Sequence, residues 1–168
     1  PMKPLNTAIN DLLHKGTVIP AHPLVLKKDL SVDEERQKRL TRYYIASGAG
    51  GIAVGVHTTQ FEIRDPGINL LEPVLKMAAE EVNNAGLKRP FIKVAGICGA
   101  TDIAVREAAL AAKYDYHLGL LSNGGLADYT EAQLIKRAEA VAAVIPLFGF
   151  YLQPAVGGRR LSYGFWRD

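Results

Sequence analysis

The residues of this chain that are best suited to chemistry stand in or beside short apolar runs. His57 lies directly before the hydroxyl pair Thr58 and Thr59, His22 lies before a proline, and Tyr151 ends an apolar run. Paired threonines can hold a carboxylate or relay a proton, and a tyrosine transfers protons where its neighbours tune its pKa. The alternative interpretations are helix capping for the threonines and core packing for the tyrosine.

Two further loops carry candidate ligand-binding groups. Asn123 precedes one pair of glycines, and Arg159 follows a second pair, where its guanidinium can attract a substrate carboxylate. Glycine-rich turns are the alternative explanation for both positions. His22 and His57, with Cys98, carry nitrogen and sulfur atoms of the kind that bind metals. The chain has no Cys-x-x-Cys or His-Glu-x-x-His motif, so hydrogen-bonded loop histidines are the simpler interpretation and no metal is expected.

Five apolar runs are predicted as buried strands. They cover residues 17–26, 51–56, 91–97, 116–121 and 145–151. The runs begin about 32 residues apart on average, which is the size of a strand followed by a helix. In folds built of such units, the loops after the carboxyl ends of the strands meet on one face. The polar residues named above are therefore expected to lie together.

Amphipathic segments separate these runs and are predicted as helices. Residues 5–15 form an extra helix before the first strand, and residues 31–47 form a helix opened by a Ser31–Glu34 capping box. The next helix ends at Gly86, a residue that tolerates a left-handed cap. Residues 101–113 form a helix with an alanine-rich face, and Thr130 opens another helix with a second capping box.

Two α/β architectures accommodate this alternation. A five-stranded doubly wound sheet fits the 168 residues as a complete domain, whereas a (β/α)8 barrel, or TIM barrel, needs about 250. The last amphipathic segment, residues 161–168, stops without a capping signal. We therefore expect residues 17–168 to form the first five units of a single barrel domain, with the C-terminal units missing. Residues 1–16 hold the extra helix, and Pro1 is interpreted as a residue added ahead of the natural start at Met2.

Composition argues against several classes of protein. The chain is 48% hydrophobic and 22% charged, with a net charge of +3, which is typical of a globular domain. Its basic residues alternate with acids on one predicted helix, so nucleic-acid binding is not expected. The single cysteine favours a reducing, cytoplasmic location. Apolar stretches long enough to enter a membrane are absent from the sequence, so no membrane association is expected.

The strand ends resemble the dihydrodipicolinate synthase and N-acetylneuraminate lyase family, class I aldolases built on a (β/α)8 barrel. Residues 16–23, 46–54 and 94–96 are similar to the approaches and strands of its first three units. Thr58 and Thr59 match its paired threonines, and residues 151–154 resemble the Tyr-x-x-Pro that closes its fifth strand.

The chain departs from the family pattern at several positions. His57 and the pair Gln60-Phe61 flank the threonines where the family has glycine on either side, and His22 replaces a threonine. Residues 122–124 lack the tyrosine of the family's fourth strand. Synthesis of dihydrodipicolinate itself is therefore not expected.

The resemblance implies a Schiff-base mechanism without a cofactor. A lysine on strand six, beyond the present sequence, would form an imine with pyruvate or a related 2-oxo acid, and a C–C bond to an aldehyde would then form or break. Tyr151 would shuttle protons, Thr58 would connect it to a relay, and Thr59 would hold the 2-oxo acid's carboxylate. The 168 residues alone are not expected to be catalytically competent, and the whole protein is expected to be a homotetramer.

Four other residues are predicted to contact the substrate. They are His22, His57, Asn123 and Arg159. Two alternative functions stay open at this stage. One is a non-catalytic α/β domain that binds a small ligand, and the other is a metal-dependent enzyme that uses His22 and His57.

Overall fold

The computed structural model describes residues 4–156 and 158–167. The helices are α1 (Thr7–Lys15), α2 (Glu34–Ala46), α3 (Leu71–Asn84), α4 (Thr101–Lys113), α5 (Glu131–Ala142) and α6 (Tyr163–Arg167). The strands are β1 (Gly51–Val54), β2 (Ile92–Ile97), β3 (Leu118–Leu121) and β4 (Leu147–Phe148), and short 3-10 turns cover His57–Thr59, Phe61–Arg64 and Pro154–Val156. Pro1 and Met2, and with them the predicted natural start, lie outside the described residues.

The four strands form one parallel sheet in the order β1-β2-β3-β4. A doubly wound sheet reverses direction at a switch point, whereas this order runs one way throughout. Right-handed crossovers then place successive helices on the same face of the sheet. Within the described residues the sheet is therefore part of a barrel wall, and the doubly wound alternative is wrong.

Side chains of the sheet alternate between two apolar cores. On one face, Ile52 and Val54 of β1 pack in a cluster with buried residues of α3 and α4. On the other face, Ala53 packs with Ile92 and with Ile9 of α1. The extra N-terminal helix therefore covers the face opposite α3 and α4. None of the described helices has both the length and the apolar character that a membrane crossing requires.

The first predicted strand is largely irregular. Ala21 makes an isolated bridge to Ala53 of β1, and Leu26 makes another to Val32, outside the sheet. Beside β1, the Gly50 amide also donates to the Val18 carbonyl and the Ala53 amide to the Pro20 carbonyl. Proline has no N–H to donate, so this segment cannot complete a regular ladder. It runs beside β1 where a first barrel strand belongs, but not as the strand predicted over residues 17–26.

The last predicted strand is shorter than the predicted run 145–151. Only Leu147 and Phe148 pair with β3, and the chain leaves the sheet at Gly149, which has no side chain to pack. Tyr151 therefore lies beyond the strand and not at its end. The helix that follows is Tyr163–Arg167, within the predicted segment 161–168, whose last residue is outside the described range.

Helix starts were predicted with mixed success. Helix α2 begins at Glu34 and is capped by Asp33; the Ser31 box is wrong, because the Ser31 hydroxyl and amide bond Asp29. The box that opens α5 is confirmed, with Thr130 and Gln133 bonded reciprocally. Helix α4 has the predicted bounds, and α3 ends two residues before Gly86, whose φ is +59°.

Candidate active site

A cavity of about 430 Å³ lies at the carboxyl ends of β1, β2 and β3. Its apolar wall consists of five side chains, those of Val56, Phe61, Leu120, Phe150 and Leu152. Gly55 and Gly96 expose backbone to it, and its polar side chains are His57, Cys98 and Ser122. Reactive groups of barrel enzymes gather at this end of the strands, so this cavity is the candidate active site.

Gly96 lets two strand ends approach closely at the cavity floor. A β-carbon at this position would stand 2.3 Å from the carbonyl oxygen of Gly55, a backbone atom. Only glycine fits there without a shift of one strand against the other. The floor of the cavity is therefore formed by backbone.

Thr59 is fully buried and fixes the loop after β1. Its hydroxyl donates to the His22 carbonyl at 2.7 Å and accepts from the Gly55 amide at 3.0 Å. These two bonds join the first irregular segment to the end of β1. The hydroxyl predicted to hold a substrate carboxylate is thus occupied by the backbone in this structure.

His22 is also fully buried, against α2. Its Nε2 lies 2.8 Å from the Thr41 hydroxyl, and its Nδ1 lies 2.9 Å from the Pro23 carbonyl and 3.0 Å from the Gln37 amide. Burial lowers the pKa of this ring below its usual value. His22 therefore anchors its segment to α2 and does not line the cavity, and its contact with the substrate stays a prediction.

His57 and Thr58 occupy the exposed turn that follows β1. The His57 ring lines the cavity and meets the Phe61 ring at an edge-to-face angle, with centroids 5.8 Å apart. Thr58 is solvent-exposed, and its carbonyl accepts from the Leu24 amide at 3.3 Å. Of the pair of threonines, Thr58 is the one whose side chain faces solvent.

Tyr151, Asn123 and Arg159 lie together around a second, smaller cleft of about 20 Å³. Tyr151 is 55% exposed and packs against the Trp166 ring at 6.2 Å. The Arg159 guanidinium donates to the carbonyls of Leu126 and Tyr129, at 3.3 and 2.7 Å. These three residues do not contribute to the main cavity, although Phe150 and Leu152 line both spaces.

A buried ion pair lies behind the cavity, between Arg64 and Glu107. Arg64 Nε donates to Glu107 at 2.8 Å, and its Nη2 donates to the carbonyls of Gly55 and Gly96 at 2.9 and 3.0 Å. The second Glu107 oxygen accepts from the Cys98 amide at 3.0 Å. Arg64 Nη1 is buried without a hydrogen-bond partner among the described residues. The pair thus holds the ends of β1 and β2 together.

Arg137 of α5 holds the ends of β2 and β3 together. It is fully buried, and it donates to the carbonyls of Gly99 and Ser122 and to the Asn123 side chain, at 2.9, 3.0 and 3.3 Å. Burial lowers the pKa of this guanidinium, which nevertheless stays charged, as arginine does in proteins. All three of its hydrogen bonds go to neutral oxygens. The Asn123 side chain, which is predicted to contact the substrate, accepts one of these bonds.

The same fold occurs in proteins of known structure. Dihydrodipicolinate synthase from Oceanobacillus iheyensis matches with a TM-score of 0.70 and 16% identity over 82% of this chain and 45% of that one. N-acetylneuraminate lyase from Fusobacterium nucleatum matches with 0.72 and 16% identity, over 90% and 50%. YagE, a prophage protein of the dihydrodipicolinic acid synthase family from E. coli K12 solved with pyruvate, matches with 0.68 and 18% identity, over 83% and 45%.

This chain folds as part of a TIM barrel. The resemblance read from the sequence to dihydrodipicolinate synthase and N-acetylneuraminate lyase is confirmed at the level of the fold. The chain spans about half the length of the solved structures that it matches. No protein-family model matches it, and no curated protein does so either.

Sequence reasoning missed the charged residues that support this barrel end. Glu107 shares the helix face of Ala104 and Ala111, and Arg137 stands at the same i+3 and i+4 spacing between two buried residues of α5. A charged residue on an otherwise buried face is the signal that identifies such groups, because buried charges are normally paired or hydrogen-bonded. Arg64 lies in a short turn and not on a buried helix face, so the sequence pattern did not indicate its burial.

The histidines do not combine into a metal site. Within the part of the chain that the structure describes, no group of three or more His, Cys, Asp or Glu side chains is placed to hold an ion. Both ring nitrogens of His22 bond protein atoms, so the ring is not available to a metal beside His57. Burial raises the pKa of the Cys98 thiol, which favours its neutral form.

Proposed function

We propose that this chain belongs to a lyase or aldolase of the dihydrodipicolinate synthase and N-acetylneuraminate lyase family, acting on pyruvate or a related 2-oxo acid. One observation carries the proposal: the cavity at the carboxyl ends of the barrel strands lies directly in front of an excess of buried positive charge. A 2-oxo acid is a small anion whose remaining atoms are weakly polar, and such a cavity suits it.

The charge excess comes from two arginines and a single carboxylate. Arg64 and Arg137 donate to backbone carbonyls of residues that line the cavity, and Glu107 is the one buried acid with them among the described residues. At an effective dielectric constant of about 20, one such charge contributes roughly 1.7 kcal/mol at a separation of about 10 Å. This attraction supports binding of a carboxylate without requiring the Thr59 hydroxyl.

The reaction that we propose begins with an imine. A lysine amine attacks the 2-oxo carbon and water leaves; loss of a C3 proton then gives an enamine. C3 of the enamine attacks an aldehyde carbon, the aldehyde oxygen takes up a proton, and water finally hydrolyses the imine. Cleavage follows the same steps in reverse.

The imine-forming lysine would lie beyond the present sequence. Within the described residues, no lysine lines the cavity. Lys93 is buried near the start of β2, about 10 Å along the strand from Gly96, where its Nζ donates to the Asn83 side chain and to the Tyr114 carbonyl. Lys93 is therefore a structural residue in this proposal.

Tyr151 and Thr58 remain the proposed proton-transfer residues. Tyr151 lies between Phe150 and Leu152, both of which line the cavity. We propose His57 and Ser122 as the polar groups that contact the bound 2-oxo acid, because they line the same space. Arg159 is proposed to support the loop at Leu126 and not to bind the substrate directly. The homotetramer and the cytoplasmic location stay predictions.

Trapping with pyruvate and borohydride tests this function in the complete natural polypeptide. We expect the intact mass to increase by one reduced pyruvyl group and peptide mapping to place it on a lysine beyond residue 168. Tyr151→Phe is expected to slow aldol turnover at least tenfold, a typical loss when a proton-transfer group is removed. Absence of an adduct, or an adduct on Lys93, would refute the mechanism. Saturable pyruvate binding without an adduct would instead indicate the non-catalytic binding domain.

A further inference from the structure

The walls of the candidate cavity indicate what the second substrate is like. The five apolar side chains named above line the 430 Å³ cavity, and among the described residues its polar side chains are His57, Cys98 and Ser122. Among the described residues, no charged side chain lines it. The described walls are therefore suited to a small anion and to an apolar group.

Three arginines of the described chain lie near this end of the barrel, and each has partners outside the cavity. Arg64 and Arg137 direct their donors at backbone carbonyls behind the wall, and Arg159 directs its own at carbonyls beside the smaller cleft. The excess positive charge of Arg64, Arg137 and Glu107 is a single charge, and the carboxylate of the 2-oxo acid already balances it. An aldehyde with a second carboxylate or an ammonium group would therefore place a further charge against apolar walls. Burying an unpaired charge is strongly unfavourable, as is burying several hydroxyls without partners.

Two phenylalanines at the cavity are unusually exposed for their size. Phe61 is 43% exposed and Phe150 is 42% exposed, although most large apolar side chains near the sheet are buried. Phe61 already meets the His57 ring edge-to-face at 5.8 Å. An aromatic ligand would cover these rings and continue the same kind of contact.

We propose that the aldehyde partner of this enzyme carries an uncharged apolar side chain, aromatic or branched aliphatic, and not a polyhydroxylated or carboxylated one. The inference rests on the proposed function and specifies its second substrate. Burial of the aldehyde's side chain against Phe61, Phe150 and Leu120 would stabilise the transition state of C–C bond formation. Selectivity of this kind amounts to roughly 10-fold to 200-fold for each methylene group in a hydrophobic pocket.

Competition between aldehydes tests the proposal in the complete natural polypeptide. Pyruvate consumption is measured with benzaldehyde, 3-methylbutanal, glyceraldehyde and succinic semialdehyde. We expect kcat/KM to be at least tenfold higher for the two apolar aldehydes. A preference for glyceraldehyde or succinic semialdehyde, in a protein that forms the pyruvate adduct, would overturn the proposal and leave the Schiff-base mechanism intact.

Two variants separate the cavity wall from general surface effects. Phe61→Gln is expected to lower kcat/KM for benzaldehyde at least tenfold more than for glyceraldehyde, and Phe150→Gln is expected to do the same. Ile68→Gln is the matched control, because Ile68 is 45% exposed in the same loop region and does not line the cavity. If the ratio of kcat/KM for benzaldehyde to kcat/KM for glyceraldehyde is the same in all three variants, Phe61 and Phe150 do not contact the aldehyde's side chain.

A binding measurement covers the case in which no adduct forms. Benzyl alcohol and glycerol are titrated separately and followed by ligand-observed NMR. Saturable binding of benzyl alcohol that Phe61→Gln weakens, without adduct formation, would refute the Schiff-base function but support an apolar ligand site. Failure of benzyl alcohol to bind, or equal binding of glycerol, would overturn the proposal.

Discussion

Replacement of Glu107 by glutamine should destabilise the protein far more than loss of a surface ion pair does. The Glu107 side chain is only 9% exposed and that of Arg64 is 15% exposed, with 2.8 Å between the bonded atoms. Glutamine keeps the shape and one acceptor but removes the charge that compensates the buried guanidinium. Breaking a buried pair by removing one partner typically costs about 3–5 kcal/mol. Because Arg64 retains its two carbonyl partners, we expect a loss of about 3 kcal/mol.

Urea unfolding, followed by circular dichroism, measures this loss. For a domain of this size, about 3 kcal/mol corresponds to a decrease of roughly 6–12 °C in Tm, which gives an independent check. The matched control is Asp102→Asn on the same helix, which breaks the Arg106–Asp102 pair, whose side chains are 69% and 67% exposed. We expect that control to lose less than about 1 kcal/mol.

A double variant separates the pair's attraction from the penalty of an unpaired charge. Arg64→Met with Glu107→Leu removes both charges and fills similar volume, so we expect it to be more stable than Glu107→Gln. If Glu107→Gln loses no more stability than Asp102→Asn, the buried pair does not hold the strand ends as described. The buried Arg64 charge would then no longer support the proposed attraction of a carboxylate to the cavity.

Three further predictions concern the same barrel end and its sheet. Thr59→Val should lower the free energy of unfolding in urea by about 2–3 kcal/mol, because it leaves the buried Gly55 amide and His22 carbonyl unpaired. Thr58→Val should change it by less than about 0.5 kcal/mol. Similar losses in the two variants would contradict the anchoring role of Thr59. Burial lowers the pKa of His117 from 6.5 to about 4, so below pH 6.5 the unfolded state binds a proton more readily and stability should decrease towards pH 4. His117→Gln should make the free energy of unfolding depend less steeply on pH in this range. The slope should change by less than about 1.4 kcal/mol per pH unit, because the ring is only partly buried. An unchanged slope would refute the role of His117 in this pH dependence. Gly96→Ala should lower the free energy of unfolding by more than about 2 kcal/mol, because its β-carbon would meet the Gly55 backbone. Gly149→Ala should be nearly neutral, because the space around Gly149 is open. Equal effects would contradict the close contact between the two strand ends.

Local signals in the sequence were enough to predict most of the architecture. The alternation of apolar runs and amphipathic segments predicted successive parallel strands, and the capping box at Thr130 located the start of α5 within one residue. Signals of this kind depend on neighbours within a few residues. Where two local signals competed, at Ser31 and Asp33, only the folded chain decides which residue caps the helix, because Ser31 has a second partner in Asp29.

The detailed roles of the site residues depended on partners that are distant in sequence. Thr59 bonds a carbonyl at His22, and Glu107 bonds a guanidinium at Arg64, and neither contact follows from local pattern. Each exists only once two βα units have packed side by side. The same dependence explains Tyr151, whose position is set by how far β4 pairs with β3. The residue types were recognised, but a hydroxyl, an imidazole or a phenol near a strand end can face either the cavity or the scaffold.

The positions that depart from the family resemblance divide between the cavity wall and the scaffold behind it. His57, Phe61 and Ser122 all line the cavity, and all three stand where the resemblance implies a different residue. Thr59, which matches the family pattern, is instead buried in the scaffold. His22, which replaces a threonine, is buried against α2 and bonds Thr41 and Gln37, so departures also occur in the scaffold. A departure in the scaffold keeps a hydrogen-bonded contact between elements, whereas a departure on the wall changes the groups that a ligand would meet.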